Sequence, residues 1–258
     1  MRVYWVEQAE TDVPKNNEWL CAAEITRMNS LRFLKRRADW RLGRWTAKRA
    51  VAACLNWPPY PQVLVGVEIR ATPSGAPDAT VASLGTAMVV SLSHCGGRAM
   101  CAVSTSGVRL GCDLEVIEPR SEGFVADYFT REEQSLVARA PSAERPEIVT
   151  LIWSAKESAL KALREGLRLD TRSVSVSLIE GGPQRSGWSP LRVRCADDSV
   201  FQGWWRTTDG ILHTVVSDLP SDCPTCLALP EGSRNAENTI DLGAGMTMKS
   251  KIVSVAGQ

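Results

Sequence analysis

In "MRVYWVEQ" apolar side chains fall on both faces of a two-residue period, Val3 and Trp5 against Tyr4 and Val6, which predicts a strand. The period then lengthens. Leu31, Leu34, Ala38, Leu42 and Trp45 recur at steps of three and four, predicting one long helix through "LRFLKRRADWRLGRWTAKRAVAACL". Asn29-Ser30 would cap it, and the prolines of "NWPPYP" would end it. "VLVGVEIR" reads as a strand, "ATPSGAPDA" as a turn-rich loop, and "AMVVSLSH" and "RAMCAVST" as a hairpin joined at "CGG".

A second cycle follows. "VRLGCDLEVIE" (108–118) is a strand, "FVADYFTREEQSLVAR" contains a short helical stretch, and "LIWSAKESALKAL" belongs to a helix opened near Pro146-Glu147 and closed near Gly166. "RSVSVSLIE", "LRVRCAD", "SVFQGWWRTT" and "ILHTVVSD" continue as strands. The order strand, long helix, strands thus occurs twice. It predicts an α+β fold of two similar halves, 1–104 and 105–220, packed together with pseudo-twofold symmetry. That symmetry rests on element order, with no repeat at the level of residues. Residues 221–258 are poor in large apolar side chains and read as a mobile tail or appendage.

Composition narrows the class. The 258 residues can bury a large core, and 30 basic against 29 acidic residues, a net charge of +1, argue against a nucleic-acid partner. The N-terminus lacks the apolar core of a signal peptide and no run is long enough to span a membrane, which predicts a cytoplasmic protein. Of eight cysteines only Cys223 and Cys226 have metal-like spacing; without a second pair, and with two histidines in the chain, they read as structural.

Two short segments carry chemistry. In "GCDLE", Asp113 and Glu115 are two apart on a strand and share a face, while Cys112 and Leu114 turn to the core. Adjacent carboxylates repel unless a cation neutralises them, and hard oxygen donors suit Mg²⁺. Alone, such a pair is more often two solvated acids on an exposed strand face. On the helix, Ile148, Leu151, Ile152, Ala155, Ala159, Ala162 and Leu163 gather on one side, with Trp153, Glu157, Leu160, Lys161 and Arg164 opposite. Glu157 and Lys161 as a surface i,i+4 pair would contribute only about 0.2–0.5 kcal/mol. The apolar residues beside them suggest that this face lines a cleft.

Together "GCDLE" (111–115) and "WSAKESALK" (153–161) resemble the signature pair of the surfactin-type 4′-phosphopantetheinyl transferases, G-[IV]-D-[IL]-E and W-[ST]-x-K-E-[AS]-x-x-K. "SLSHCGG", "GRWTAKRA", "SGAP" and "YFTREEQ" resemble softer features of that family, so the likeness covers roughly residues 30–180. It implies the two-half fold with the site at the interface of the halves, and a transfer of the 4′-phosphopantetheine arm of coenzyme A to a serine of an acyl, peptidyl or aryl carrier protein, releasing 3′,5′-ADP. Such carriers serve polyketide, nonribosomal peptide, siderophore or fatty-acid biosynthesis.

By motif position, Asp113, Glu115 and Glu157 would hold Mg²⁺. Lys161 would stabilise or protonate the departing phosphate, with Lys156 at the same phosphates. Glu133, one register from Glu132, would be a candidate base for the serine, with Glu157 or a metal-bound water as rivals. His94 would meet phosphate. Arg37 and Arg44, backed by Arg36 and Arg41, and Arg70 would meet the nucleotide end of coenzyme A. Cys112 replaces the usual Ile or Val, and Ala76 replaces a lysine that Arg70 or the basic helix could offset. Two halves in one chain imply a pseudo-dimeric monomer. A Mg²⁺-dependent nucleotide pyrophosphate hydrolase and a non-catalytic coenzyme A or carrier-binding module are the alternatives.

Overall fold

The computed structural model describes residues 2–81, 86–179 and 187–229. Two sheets, antiparallel but for one short edge strand, pack face to face, each with one long helix on its outer side, giving a helix–sheet–sheet–helix stack. In the first half β1 (Tyr4–Ala9) is followed by α1 (Ala22–Asn29), α2 (Leu34–Cys54), α3 (Pro61–Val65), β2 (Val67–Ala71), β3 (Pro77–Val81), β4 (Thr86–Cys95) and β5 (Arg98–Ser104). The second half repeats the order: β6 (Leu110–Val116), α4 (Glu122–Tyr128), α5 (Arg131–Arg139), α6 (Arg145–Ala162), then β7 (Val174–Leu178), β8 (Ser189–Cys195), β9 (Val200–Thr208) and β10 (Ile211–Ser217).

The sheets also match in topology, β1-β5-β4-β3-β2 and β6-β10-β9-β8-β7. α2 covers the outer face of the first through Ala47, Ala50 and Val51 against Val6, Val67, Ile69 and Val103. α6 covers the second through Leu151, Ile152, Ala155 and Ala159 against Val176, Leu191, Val193 and Phe201. Strand alternation sends Val3, Trp5, Met100 and Ala102 inward to meet Cys112, Leu114, Ile211 and Val215, and this cluster joins the sheets.

The duplication reaches individual residues, which element order alone did not reveal. Trp45-Thr46-Ala47-Lys48 on α2 corresponds to Trp153-Ser154-Ala155-Lys156 on α6. Lys48 is wholly buried against Glu24 at 2.6 Å, and Lys156 is wholly buried against Glu133 at 2.8 Å. Each glutamate also closes a helix start, Glu24 on Cys21 N and Glu133 on Thr130 N. Each then accepts a backbone N–H from the first strand after the long helix, Ile69 or Val176.

Several expected elements differ. Ser30 closes the unforeseen α1, and α2 begins only at Leu34, which is 79% exposed. The predicted stripe therefore starts at Leu42, while Leu34 and Ala38 lie outside the core. Pro61 opens the short helix α3 where a strand was expected, because its fixed φ suits a first helical turn. Leu160 is fully buried, since α5 and the second sheet cover a side of α6 that the helical wheel left open.

Part of the expected tail is ordered. β11 (Thr225–Cys226) adds to the free edge of β1 in parallel, with Thr225 N donating to Val3 O and Leu227 N to Trp5 O. Cys223 packs against the inter-sheet cluster, and among the described residues neither Cys223 nor Cys226 forms a disulfide. The rest of the predicted tail, from residue 230, lies outside the described residues.

Candidate functional site

The site forms where α6 crosses β6. β6 presents Gly111, Asp113 and Glu115 on the α6 side, and the missing side chain at Gly111 lets the helix backbone lie directly on the strand. Hydroxyls fasten the helix at this level. Ser154 and Ser158 of α6 share hydrogen bonds with Thr214 of β10, the strand partner of Asp113. The opposite face of β6, with Cys112 and Leu114, is sealed in the inter-sheet core as expected.

The first half enters through β4. Ser91 Oγ accepts from Cys112 N at 2.9 Å, and Cys112 Sγ donates to Ser91 O at 3.1 Å. The cysteine thus keeps the strand in place and adds a tie between the halves. Ser93 Oγ donates to Asp113 Oδ1 at 2.7 Å. Lys161 Nζ donates to the same oxygen at 2.7 Å, to Ser93 Oγ at 3.1 Å and to Cys112 O at 3.2 Å. Asp113 is buried, and its Oδ2 has no hydrogen-bond partner.

Glu115 Oε1 accepts the Trp153 indole N–H at 3.1 Å, and its Oε2 lies 3.5 Å from the Arg120 guanidinium. The half-buried Glu157 accepts no hydrogen bond from any described residue. Burial raises the Glu115 carboxyl above its usual 4.5, and Asp113 adds to the rise. Burial also raises Glu157, with Asp113 and Glu115 reinforcing it and Lys161 opposing it. Burial disfavours the charge on Lys161, yet the Asp113 carboxylate outweighs it and the ammonium is held above its usual 10.5.

Among the described residues, no group of three His, Cys, Asp or Glu side chains already forms a metal cage. The donor set nevertheless fits a hard divalent cation. It offers oxygen donors only, two carboxyls pushed up by burial and then by neighbouring carboxylates, and one buried carboxylate oxygen without a partner.

Two expected site residues are engaged elsewhere. Glu133 is 2% exposed, and its carboxylate is shared among Thr130 N, Val176 N and Lys156. Lys156 spends its remaining donors on Thr171 O and Val174 O. Neither shares a partner with Asp113, Glu115 or Lys161. In this structure the pair staples α5, α6 and β7 together, so it offers neither a free proton acceptor nor a free phosphate contact.

The basic helix divides in the same way. Arg41 donates to the carbonyls of Pro14 and Asn16 and so pins the loop before α1. Arg37 spends one donor on Leu31 O, while its Nε is buried without a partner. The Arg44 guanidinium stacks 4.9 Å over Trp40, also with a buried unpartnered Nε. Arg36 is exposed. Arg70 is exposed and paired with Glu68 at 2.7 Å. His94 is exposed at the end of β4, before a tight turn in which Gly96 and Gly97 take φ of 58° and 74°.

Sequence reading missed four contributors. Ser93 and Arg120 meet the two carboxylates of β6; Ser93 lies in the family-like "SLSHCGG" without a role assigned there, and nothing in the local pattern of Arg120 marks it. Arg164 and Arg168, just beyond α6, reach Asp78 and Ser74 O beside the "SGAP" loop. The loop that lacks its lysine therefore receives two cations from the other half.

Comparison with known proteins agrees with this geometry. Residues 109–204 match the family model described as the 4′-phosphopantetheinyl transferase superfamily. The chain is also 26% identical over 200 residues to the 4′-phosphopantetheinyl transferase HetI of Nostoc sp. (strain PCC 7120), a stretch covering 76% of this chain and 82% of that protein.

Proposed function

We propose that this chain, whose residues 109–204 match the 4′-phosphopantetheinyl transferase superfamily, moves the arm of coenzyme A onto a serine of an apo carrier protein, releasing 3′,5′-ADP. The observation that carries this reading is the convergence of the two motifs. Lys161 meets Asp113 at 2.7 Å and Trp153 meets Glu115 at 3.1 Å, although 48 and 38 residues separate them in the chain. A surface ion pair has no need of that convergence.

In this reading Asp113, Glu115 and Glu157 hold Mg²⁺, which when bound would draw charge from the pyrophosphate of coenzyme A and brace the leaving oxygens. Lys161 faces the departing phosphate. With its ammonium held protonated by Asp113, it serves as a fixed positive charge more readily than as a proton donor. Glu157 is the candidate acceptor for the serine proton, because its carboxylate accepts no hydrogen bond from any described residue.

The half spanning 1–104 supplies nucleotide contacts through Arg37, Arg44 and His94, with Arg70, Arg164 and Arg168 around the "SGAP" loop. The half spanning 105–220 supplies the carboxylates and Lys161. The Ser93 and Ser91 ties across the halves favour a surfactin-type pseudo-dimeric monomer. A cytoplasmic setting fits eight cysteines without a disulfide among the described residues, where no helix is long and apolar enough to cross a membrane.

The test is product release. With coenzyme A and Mg²⁺, 3′,5′-ADP should appear only when an apo carrier protein is added, and EDTA should stop it. Release without the carrier would indicate the hydrolase, and binding without release the non-catalytic module.

A further inference from the structure

We infer that Trp153 is a positioning residue for the cation site, its indole N–H fixing Glu115 so that divalent-cation affinity depends on it. This rests on reading Asp113, Glu115 and Glu157 as the oxygen donors. The indole makes the shortest contact to Glu115, 3.1 Å, whereas Arg120 and the Cys95 thiol stand at 3.5 and 4.0 Å from the other oxygen. The ring itself is caged. Phe124 and Tyr128 approach it at 5.0 and 5.2 Å between centroids in edge-on geometry, and Arg120 lies 5.3 Å over Phe124. A donor held this firmly selects one carboxylate orientation before any ligand arrives, so less ordering is left for binding.

The first half supplies an internal control. Arg98 and Ile211 each follow the two-residue turn of the equivalent hairpins, and their strand partners are Ala9 and Val116. One residue back, Gln8 therefore corresponds to Glu115, as Trp45 corresponds to Trp153. There the indole Nε1 of Trp45 and the Oε1 of Gln8 are both buried without a partner. Packing of the long helix keeps a tryptophan in both halves. The indole hydrogen bond to the strand is made only where the strand residue is a carboxylate.

The experiment is titration of the full-length chain with Mn²⁺ in the presence of coenzyme A, followed by electron paramagnetic resonance. Trp153→Phe keeps the ring and removes the N–H, and should weaken Mn²⁺ binding by about 10- to 100-fold, the usual cost of losing an outer partner of a ligand. Trp45→Phe, the same loss in the other half, should leave binding unchanged. If Trp153→Phe does not fold, as judged by thermal unfolding without metal, Phe124→Leu loosens the cage and should weaken binding several-fold. Wild-type affinity in the folded Trp153→Phe protein, or in Phe124→Leu where that is the variant used, would overturn the inference while leaving the cation reading intact. So would an equal loss in Trp45→Phe. A wild-type chain that binds no Mn²⁺ would overturn both.

Discussion

Gly111 lies under the carbonyl of Ser158: a Cβ at residue 111 would stand 1.8 Å from that oxygen and 2.7 Å from its carbon. Both are backbone atoms, so no side-chain rotation can relieve the clash. Gly111→Ala should lift α6 from β6, separating Lys161 from Asp113 and Trp153 from Glu115. The expected cost is at least about 3 kcal/mol of stability, together with loss of transfer. Denaturant melts and the product assay check it, and an active, stable Gly111→Ala protein would remove the close helix–strand approach from the account.

The crowded carboxylates predict a trade between stability and function. Glu157→Gln removes one negative charge from a half-buried cluster, so in EDTA its melting temperature should rise above wild type while transfer falls at least 100-fold. Mg²⁺ should raise the wild-type melting temperature and leave this variant nearly unmoved. Equal responses of the two proteins to Mg²⁺ would count against Glu157 as a ligand.

The same groups set a pH window. Burial raises Glu115 and Glu157 above 4.5, so the folded state takes up their protons before the unfolded state does. Without metal, their contribution to stability is therefore present below pH 4.5 and is lost as pH rises through the raised folded values. Glu7 opposes this lower down. Burial would raise it, but His213 and Arg98 together hold it below 4.5, so its contribution is lost as pH falls through that lowered value. Cation affinity should weaken on acidification, beginning above pH 4.5, as protons compete for Glu115 and Glu157. Calorimetry in EDTA and Mn²⁺ titration at several pH values measure the two effects separately.

Glu133→Gln and Lys156→Met should act on folding. Each leaves a buried charge without its partner, at a cost of about 3–5 kcal/mol, whereas replacing both with apolar residues should recover much of the loss. The folded fraction of the double variant should retain transfer activity. If Glu133→Gln instead keeps wild-type stability and loses turnover, Glu133 is the base.

The α+β class, the doubled order and the shared face of Asp113 and Glu115 were legible because strand and helix periods depend on local sequence. The roles of Glu133 and Lys156 were not. In the chain they look like motif members, and only the packing of α5 against α6 and β7 reveals a structural pair with a twin at Glu24 and Lys48. Ser93 and Arg120 escaped for the converse reason: their contacts to Asp113 and Glu115 depend on how β4 and the segment after β6 are placed. The break between α1 and α2 was hidden by an apolar step, Leu31 to Leu34, that continues the helical period although Leu34 faces solvent.

The most direct test of the central claim is the intact mass of an apo carrier protein incubated with this chain, coenzyme A and Mg²⁺. The account predicts a mass gain equal to one phosphopantetheine group, located on a serine, abolished by EDTA and by Asp113→Ala. A carrier of unchanged mass in the presence of the folded wild-type chain, across acyl and peptidyl carriers, would contradict it.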